Sequence, residues 1–194
     1  MVKAIIFDFF GVLAVRGTES FRQAHLGDDP AVRYEARNLH DKLGLGLIAY
    51  DEFINELATL GGVDRQTVLK YTENYKPNLP LLDYIRNELK LKYKIGIISN
   101  AGDDWVARIL GTDNYELFDD IILSYKYSVI KPQPEIYTMS SKNLGVAEAE
   151  CVFVDDIQTY CKGAEAVGMK SIWYKDFQAM KTELQTILSS TTNN

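Results

Sequence analysis

Five short runs rich in isoleucine and valine recur along the chain: KAIIFDF (3–9), YKIGIISN (93–100), DIILSY (120–125), CVFVDD (151–156) and KSIWYK (170–175). A strand with one face in water alternates apolar and polar residues, whereas these runs are apolar nearly throughout. That is the habit of strands covered on both faces, as in parallel sheets. Helical patterns lie between them in DDWVARIL, PEIYTMSSKNLG and TYCKGAEAVGM, and DFQAMKTELQTIL follows the fifth run. Strands alternating with helices predict an α/β domain with a doubly wound, mostly parallel, Rossmann-like sheet.

From about Val15 to Pro80 the rhythm breaks. No strand is expected there, but helices are expected at 19–26, 30–43, YDEFINELATLGG and DRQTVLKYTENY, with Asp51 and Asp64 as N-caps and Gly44, Gly61 and Gly62 as stops. A helical segment inserted directly after the first strand is expected to sit as a cap over that strand's C-terminal end. Pro77 and Pro80 mark the return, and a helix over 80–91 leads to the second strand. The expected division is a core of residues 1–14 and 81–194 and an inserted α-helical cap of residues 15–80. The polar tail SSTTNN is expected to fray.

A chain of 194 residues allows one domain with a modest insertion. Its net charge of −6 argues against nucleic acid as a partner, because neutralising phosphates needs a basic surface. No window approaches the roughly 18 apolar residues of a membrane span. The first apolar run is interrupted by Asp8 and lacks a cleavage pattern, so it reads as a strand and not a signal peptide. Cytoplasmic localisation is the expectation. Cys151 and Cys161 read as reduced core thiols rather than a disulfide or metal pair. Nothing in the sequence sets an oligomeric state.

In open α/β sheets, ligands bind beyond the carboxyl ends of the strands. The polar residues expected there are Asp8 after the first strand, Ser99 and Asn100 after the second, and Asp155 and Asp156 after the fourth. Lys131 belongs to the loop IKPQPEIY. Three acids in one crevice are unfavourable without a cation between them, and a lysine and a hydroxyl beside them suit an anion. Singly, each residue has a duller explanation as turn or surface chemistry. Together they read as a Mg²⁺ and phosphate site with a carboxylate available to attack phosphorus.

The segments IIFDFFGVL, IGIISNAGDDW, SVIKPQPEIY and CVFVDDIQTYCKGAEAVGM resemble, in order and spacing, the motifs of the haloacid dehalogenase-like hydrolase superfamily, in the branch with a helical cap after the first motif. The resemblance implies that Asp8 is the nucleophile that forms an aspartyl-phosphate. It implies that Ser99 and Asn100 bind the phosphoryl group and that Lys131 offsets charge on nucleophile and phosphoryl group. For Mg²⁺ it implies Asp8, Asp156 and the backbone carbonyl of Phe10 as ligands, with Asp155 acting through metal-bound water. The implied substrate is a small phosphorylated metabolite.

Phe10 departs from the pattern, since most phosphatases of the family carry there a second aspartate. That residue protonates the leaving alcohol and activates the water of the second step, help worth about 10²–10⁴ in rate. Tyr160 stands where related sequences often have asparagine. Three readings follow: a Mg²⁺-dependent phosphatase with altered or reduced acid–base chemistry, a catalytically weakened binding or regulatory protein, and a metal-independent 2-haloacid dehalogenase. The last also has an aromatic residue at this position but lacks the paired acids. His25 and His40 are candidates for a replacement acid, although a lone helical histidine is more often a packing or surface residue. Arg16, Arg22 and Arg33 read chiefly as surface charges, and Trp105 and Tyr125 as packing residues.

Overall fold

The computed structural model describes residues 1–14 and 17–190. All five expected strands form: β1 (Ala4–Phe7), β2 (Lys94–Ser99), β3 (Asp120–Leu123), β4 (Cys151–Asp155) and β5 (Lys170–Trp173). They pair in parallel in the order β3-β2-β1-β4-β5, so β1 is central, with β2 and β4 on either side. The register sets Phe7 beside both Ile97 and Val154. The residues that follow these three strands are thereby brought level with one another.

The continuous apolarity of the runs has the expected cause. Side chains alternate across a strand, and here both faces are dry. Ile5 and Phe7 pack on one face with Ile95, Ile97, Val152 and Val154, against Leu81, Val106 and Leu184. Ala4 and Ile6 pack on the other with Ile98 and Phe153, against Ile136, Tyr137 and Ala164. Burying a large apolar side chain stabilises the fold by roughly 1.5–3 kcal/mol, and the helices of both layers supply such partners.

Ten α-helices are named in chain order. Those before β2 are α1 (Gly17–Phe21), α2 (Pro30–Gly44), α3 (Tyr50–Gly61), α4 (Arg65–Thr72) and α5 (Leu79–Tyr84). Those after it are α6 (Trp105–Leu110), α7 (Thr112–Tyr115), α8 (Pro134–Leu144), α9 (Gln158–Ala166) and α10 (Phe177–Ser190). Both α1 and α5 continue as one π-type turn, over Arg22–Leu26 and Ile85–Leu89. The four helices between β1 and Pro77 have a core of their own in Phe21, Leu39, Phe53, Ile54, Leu57 and Val68. The two crossings into this segment are tied together, Asn78 N donating to the Leu13 carbonyl at 2.8 Å and Asn78 Nδ2 to the Val12 carbonyl at 2.9 Å.

Asp64 caps α4 as expected, accepting from Thr67 N at 2.8 Å. Asp51 does not cap α3. Ala49, in extended conformation, is the N-cap, and Asp51 sits in the first turn, where its acid suits the helix dipole and Arg65 Nη2 donates to it at 2.5 Å. Gly44 does not stop α2 either: it remains helical, Leu45 is the C-cap, and Gly46 supplies the positive φ of 72°. Gly62, at φ 61°, ends α3 as a left-handed cap. The short α7 was not anticipated. Arg16 and the last four residues of the tail lie outside the described residues. No helix of the described residues is long and apolar enough to cross a membrane.

Candidate active site

Lys131 is the centre of the site. It is a fully buried lysine, and its Nζ donates to Asp8 Oδ1 at 2.7 Å and to Asp155 Oδ2 at 2.6 Å. The loop that carries it is held to the end of β2 by Asn100. Lys131 N donates to Asn100 Oδ1 at 2.8 Å, and Asn100 Nδ2 donates to the Lys131 carbonyl at 3.1 Å. Burial disfavours the charged ammonium, but Asp155 and Asp8 together outweigh burial and hold it well above the ordinary lysine range.

Asp8 follows β1 directly, and its Oδ1 also accepts from Phe9 N at 2.7 Å. Asp155 ends β4 and is fully buried, with Oδ1 accepting from Ile157 N at 2.7 Å. Burial raises its pKa first, and the neighbouring charge of Asp8 adds to this against the opposing Lys131. Two carboxylates thus share one ammonium. Asp156 is half-buried beside them, and each of the three acids offers an oxygen within 4.8 Å of the others. Three negative charges against one positive leave two uncompensated, the charge of one divalent cation, and hard carboxylate oxygens are the ligands Mg²⁺ takes.

Two further observations show that the residues fit a metal and an anion. Gly11 has φ 101°, and a Cβ there would lie 2.3 Å from Asp156 Oδ2. Only glycine lets the turn after β1 press against that carboxylate. At the end of β2, Ser99 Oγ is buried without a hydrogen-bond partner among the described residues. A buried hydroxyl left so is costly unless a ligand completes it.

Phe10 is half-buried, its ring 4.9 Å from Phe9 and 5.0 Å from Tyr75. Tyr160 reaches the site from α9: its ring lies 5.0 Å from Lys131 Nζ, and its hydroxyl accepts from Asn100 Nδ2 at 3.4 Å. Asp8, Asn100, Lys131, Asp155 and Asp156 are thus brought together, with Ser99 at the adjoining end of β2. Two open clefts lie elsewhere, one of about 530 Å³ around Lys3 and Lys94 and one of about 410 Å³ around Tyr84 and Gln185, and none of the site residues lines them.

A model of haloacid dehalogenase-like hydrolases matches residues 2–168. The chain belongs to this family. Among relatives of this hydrolase, the Bacillus subtilis (strain 168) protein named "Putative phosphatase YhcW" is 28% identical over 185 residues, spanning 89% of this chain and 83% of that one. The glyceraldehyde 3-phosphate phosphatase of Pyrococcus abyssi is 34% identical over 89 residues, 44% of this chain and 37% of that one. In structure, a HAD family enzyme of Bacteroides thetaiotaomicron in complex with magnesium and inorganic phosphate aligns with TM-score 0.71 at 22% identity, covering 93% of this chain and 99% of that one. The L-2-haloacid dehalogenase of Xanthobacter autotrophicus, with chloropropionic acid covalently bound, aligns with TM-score 0.65 at 20% identity, covering 96% and 83%. At these identities the two solved structures share the fold.

Sequence reasoning missed two parts of this hydrolase's site. Gly11 carries a signal that could have been used, a glycine three residues after the strand-end acid. Ser124 carries none. It is a buried serine whose Oγ accepts from Ala101 N at 3.0 Å and donates to the Gly44 carbonyl at 2.6 Å, binding α2 to the loop after β2.

The candidate histidines pack on aromatic side chains of the inserted segment. His25 is enclosed by Phe21 and Tyr71, with ring centroids at 5.0 and 5.3 Å. His40 packs on Phe53 at 4.8 Å. Trp105 stacks among Tyr50, Tyr75 and Arg108. Arg33 pairs with Asp28 at the surface.

Proposed function

We propose that this hydrolase is a Mg²⁺-dependent phosphatase that cleaves a small phosphorylated metabolite through an aspartyl-phosphate on Asp8. The observation that carries the reading is Lys131, buried between Asp8 and Asp155 beside a third acid and a buried serine that has no partner among the described residues. The solved relative in complex with magnesium and inorganic phosphate supports the same chemistry.

In this reading Asp8, Asp156 and the Phe10 carbonyl would hold the cation, and Asp155 would assist them from beside it. Bound Mg²⁺ would neutralise charge on the transferring phosphoryl group. The Asp8 carboxylate attacks phosphorus, and the bond to the leaving oxygen breaks. Lys131 keeps the nucleophile ionised and oriented, while Ser99 Oγ and Asn100 contact the phosphoryl oxygens. Water then attacks the aspartyl-phosphate, releasing inorganic phosphate and restoring Asp8. We further propose that residues 15–80 act as the cap that closes over the substrate on the core of residues 1–14 and 81–194. The setting we propose is the cytoplasm, whose reducing conditions suit the buried, free Cys151 and Cys161.

One observation favours the dehalogenase as a second reading: an aromatic residue at position 10. Against it stand the paired acids, which a metal-free reaction leaves unexplained. The test is phosphate release from a panel of phosphate esters with Mg²⁺ and with EDTA, alongside halide release from a 2-haloacid. The phosphatase reading expects release that EDTA stops and that Asp8→Asn abolishes, because an amide is not a nucleophile here. Halide release insensitive to EDTA would establish the dehalogenase instead. Neither activity would leave a binding or regulatory protein.

A further inference from the structure

Phe10 leaves the proposed reaction without a group to move its protons. We propose that Asp41, on α2 of the inserted segment, is the acid and base that residue 10 is not. This rests on the phosphatase reading above. The C-terminal turn of α2 is docked on the site's own loops. The Gly44 carbonyl accepts from Ser124, and a Cβ at Gly44 would lie 3.1 Å from Ile130 Cγ2 and 3.9 Å from Asn100 Cβ. Next to it, Leu43 fills the space in front of Gly102, where a Cβ would come within 2.2 Å of Leu43 Cδ1.

Residues three apart on a helix share a face. Asp41 therefore stands one turn before Gly44, on the side that meets Asn100. Asn100 in turn is bonded to the Lys131 backbone and to the Tyr160 hydroxyl. That hydroxyl is raised above the ordinary tyrosine range by burial, and Asp8, Asp155 and Asp41 add to the shift against Lys131. With the Gly44 Cβ position 3.9 Å from Asn100 and Leu43 against Gly102, the turn of α2 that carries Asp41 lies against the loop after β2, at the rim of the site.

Asp41 is half-buried, and burial raises its pKa above the usual aspartate value, with Arg37 one turn earlier opposing. A carboxyl whose pKa is raised is the better proton donor of its kind. In the first step it gives its proton to the departing oxygen as the phosphorus–oxygen bond breaks and Asp8 is phosphorylated. In the second it takes a proton from the water that attacks the aspartyl-phosphate, so Asp41 ends as it began and the products are alcohol and inorganic phosphate.

The test compares parent and Asp41→Asn with Mg²⁺ on an alkyl phosphate and on p-nitrophenyl phosphate, by rapid mixing. An aryl leaving group needs little protonation, so the variant should release one equivalent of nitrophenol within a few-fold of the parental rate and then slow. Its alkyl-phosphate turnover should fall by up to about 10²–10⁴. Unchanged alkyl turnover, or an equal loss of the aryl burst and the alkyl rate, overturns the role of Asp41 and leaves the phosphatase intact. A parent that hydrolyses neither ester overturns the phosphatase reading, and the Asp41 role falls with it.

Discussion

Lys131 Nζ stands 2.6 Å from Asp155 Oδ2, and neither side chain exposes more than 1% of its surface. Burying two charges is expensive, and their attraction offsets the cost only when geometry is good and the remaining polar atoms are satisfied. Both conditions hold here. The second oxygen of Asp155 accepts from Ile157 N, and the lysine has a second carboxylate in Asp8. Because β4 flanks β1 in the sheet, one ammonium can serve acids from two strands.

Replacing Lys131 with Met should therefore destabilise the fold as well as impair the chemistry. It strands two carboxylates in a dry environment, and breaking such a buried group typically costs about 3–5 kcal/mol. Urea unfolding of the variant in EDTA should show a lower midpoint, with a loss of unfolding free energy of that size once multiplied by the slope. A midpoint equal to the parent's would mean that the lysine and its acids are far more hydrated than their burial indicates.

Gly11→Ala should weaken metal binding. The substitution combines a left-handed backbone with a Cβ 2.3 Å from the Asp156 carboxylate, so that carboxylate must move. Loss of a group that positions a metal ligand typically costs 10–100-fold in affinity or activity. The concentration of Mg²⁺ giving half-maximal phosphatase activity should rise by about that factor. An unchanged Mg²⁺ requirement would place Asp156 outside the metal shell.

Asp119, at the start of β3 and away from the site, carries a pH signature of its own. It accepts from Ile95 N at 2.8 Å and pairs with Lys90 at 2.8 Å and Lys94 at 3.5 Å. Burial raises its pKa, but Lys90, the Ile95 amide and Lys94 outweigh this, and the net effect lowers it below the ordinary aspartate value. A carboxyl whose folded pKa is depressed stabilises the fold above its unfolded pKa and loses that contribution as pH falls through the folded value. The stability gap between parent and Asp119→Asn should thus be full at neutral pH and close below about pH 4. Its size should not exceed about 1 kcal/mol, because the pairs are partly solvated. A gap that persists unchanged at acid pH would show a different cause.

The sheet was legible because each of its strands is buried on both faces, so Ile5 to Phe7 or Val152 to Val154 read as continuous apolar runs. Asp8, Ser99, Lys131, Asp155 and Asp156 were legible because strand ends in a parallel sheet meet at one edge. Asp41 was not. Its position depends on how the end of α2 docks through Gly44 and Ser124, 80 residues apart in the chain, and no local pattern encodes that contact. The Asp51 cap failed for a related reason. Ala49 is already extended there, and the acid finds Arg65 across the turn between α3 and α4.

Phe10→Asp tests the two halves of the mechanism against each other. The ring now packs on Phe9 and Tyr75, so its removal should cost some stability, about 1–3 kcal/mol for a half-buried aromatic. The new carboxyl would occupy the position from which related phosphatases are implied to move protons. In the parent background the gain on alkyl phosphates should be small, since Asp41 already serves the step. In the Asp41→Asn background the same substitution should restore alkyl turnover, by at most about 10²–10⁴. The gain falls short of that ceiling if a pocket shaped for a ring leaves the new acid too buried to ionise for the second step. The informative quantity is the difference between the two backgrounds, because residues that perform one task are not additive. Equal gains in both would show that residue 10 and Asp41 act on separate steps, and that the proton of the leaving alcohol comes from a third group.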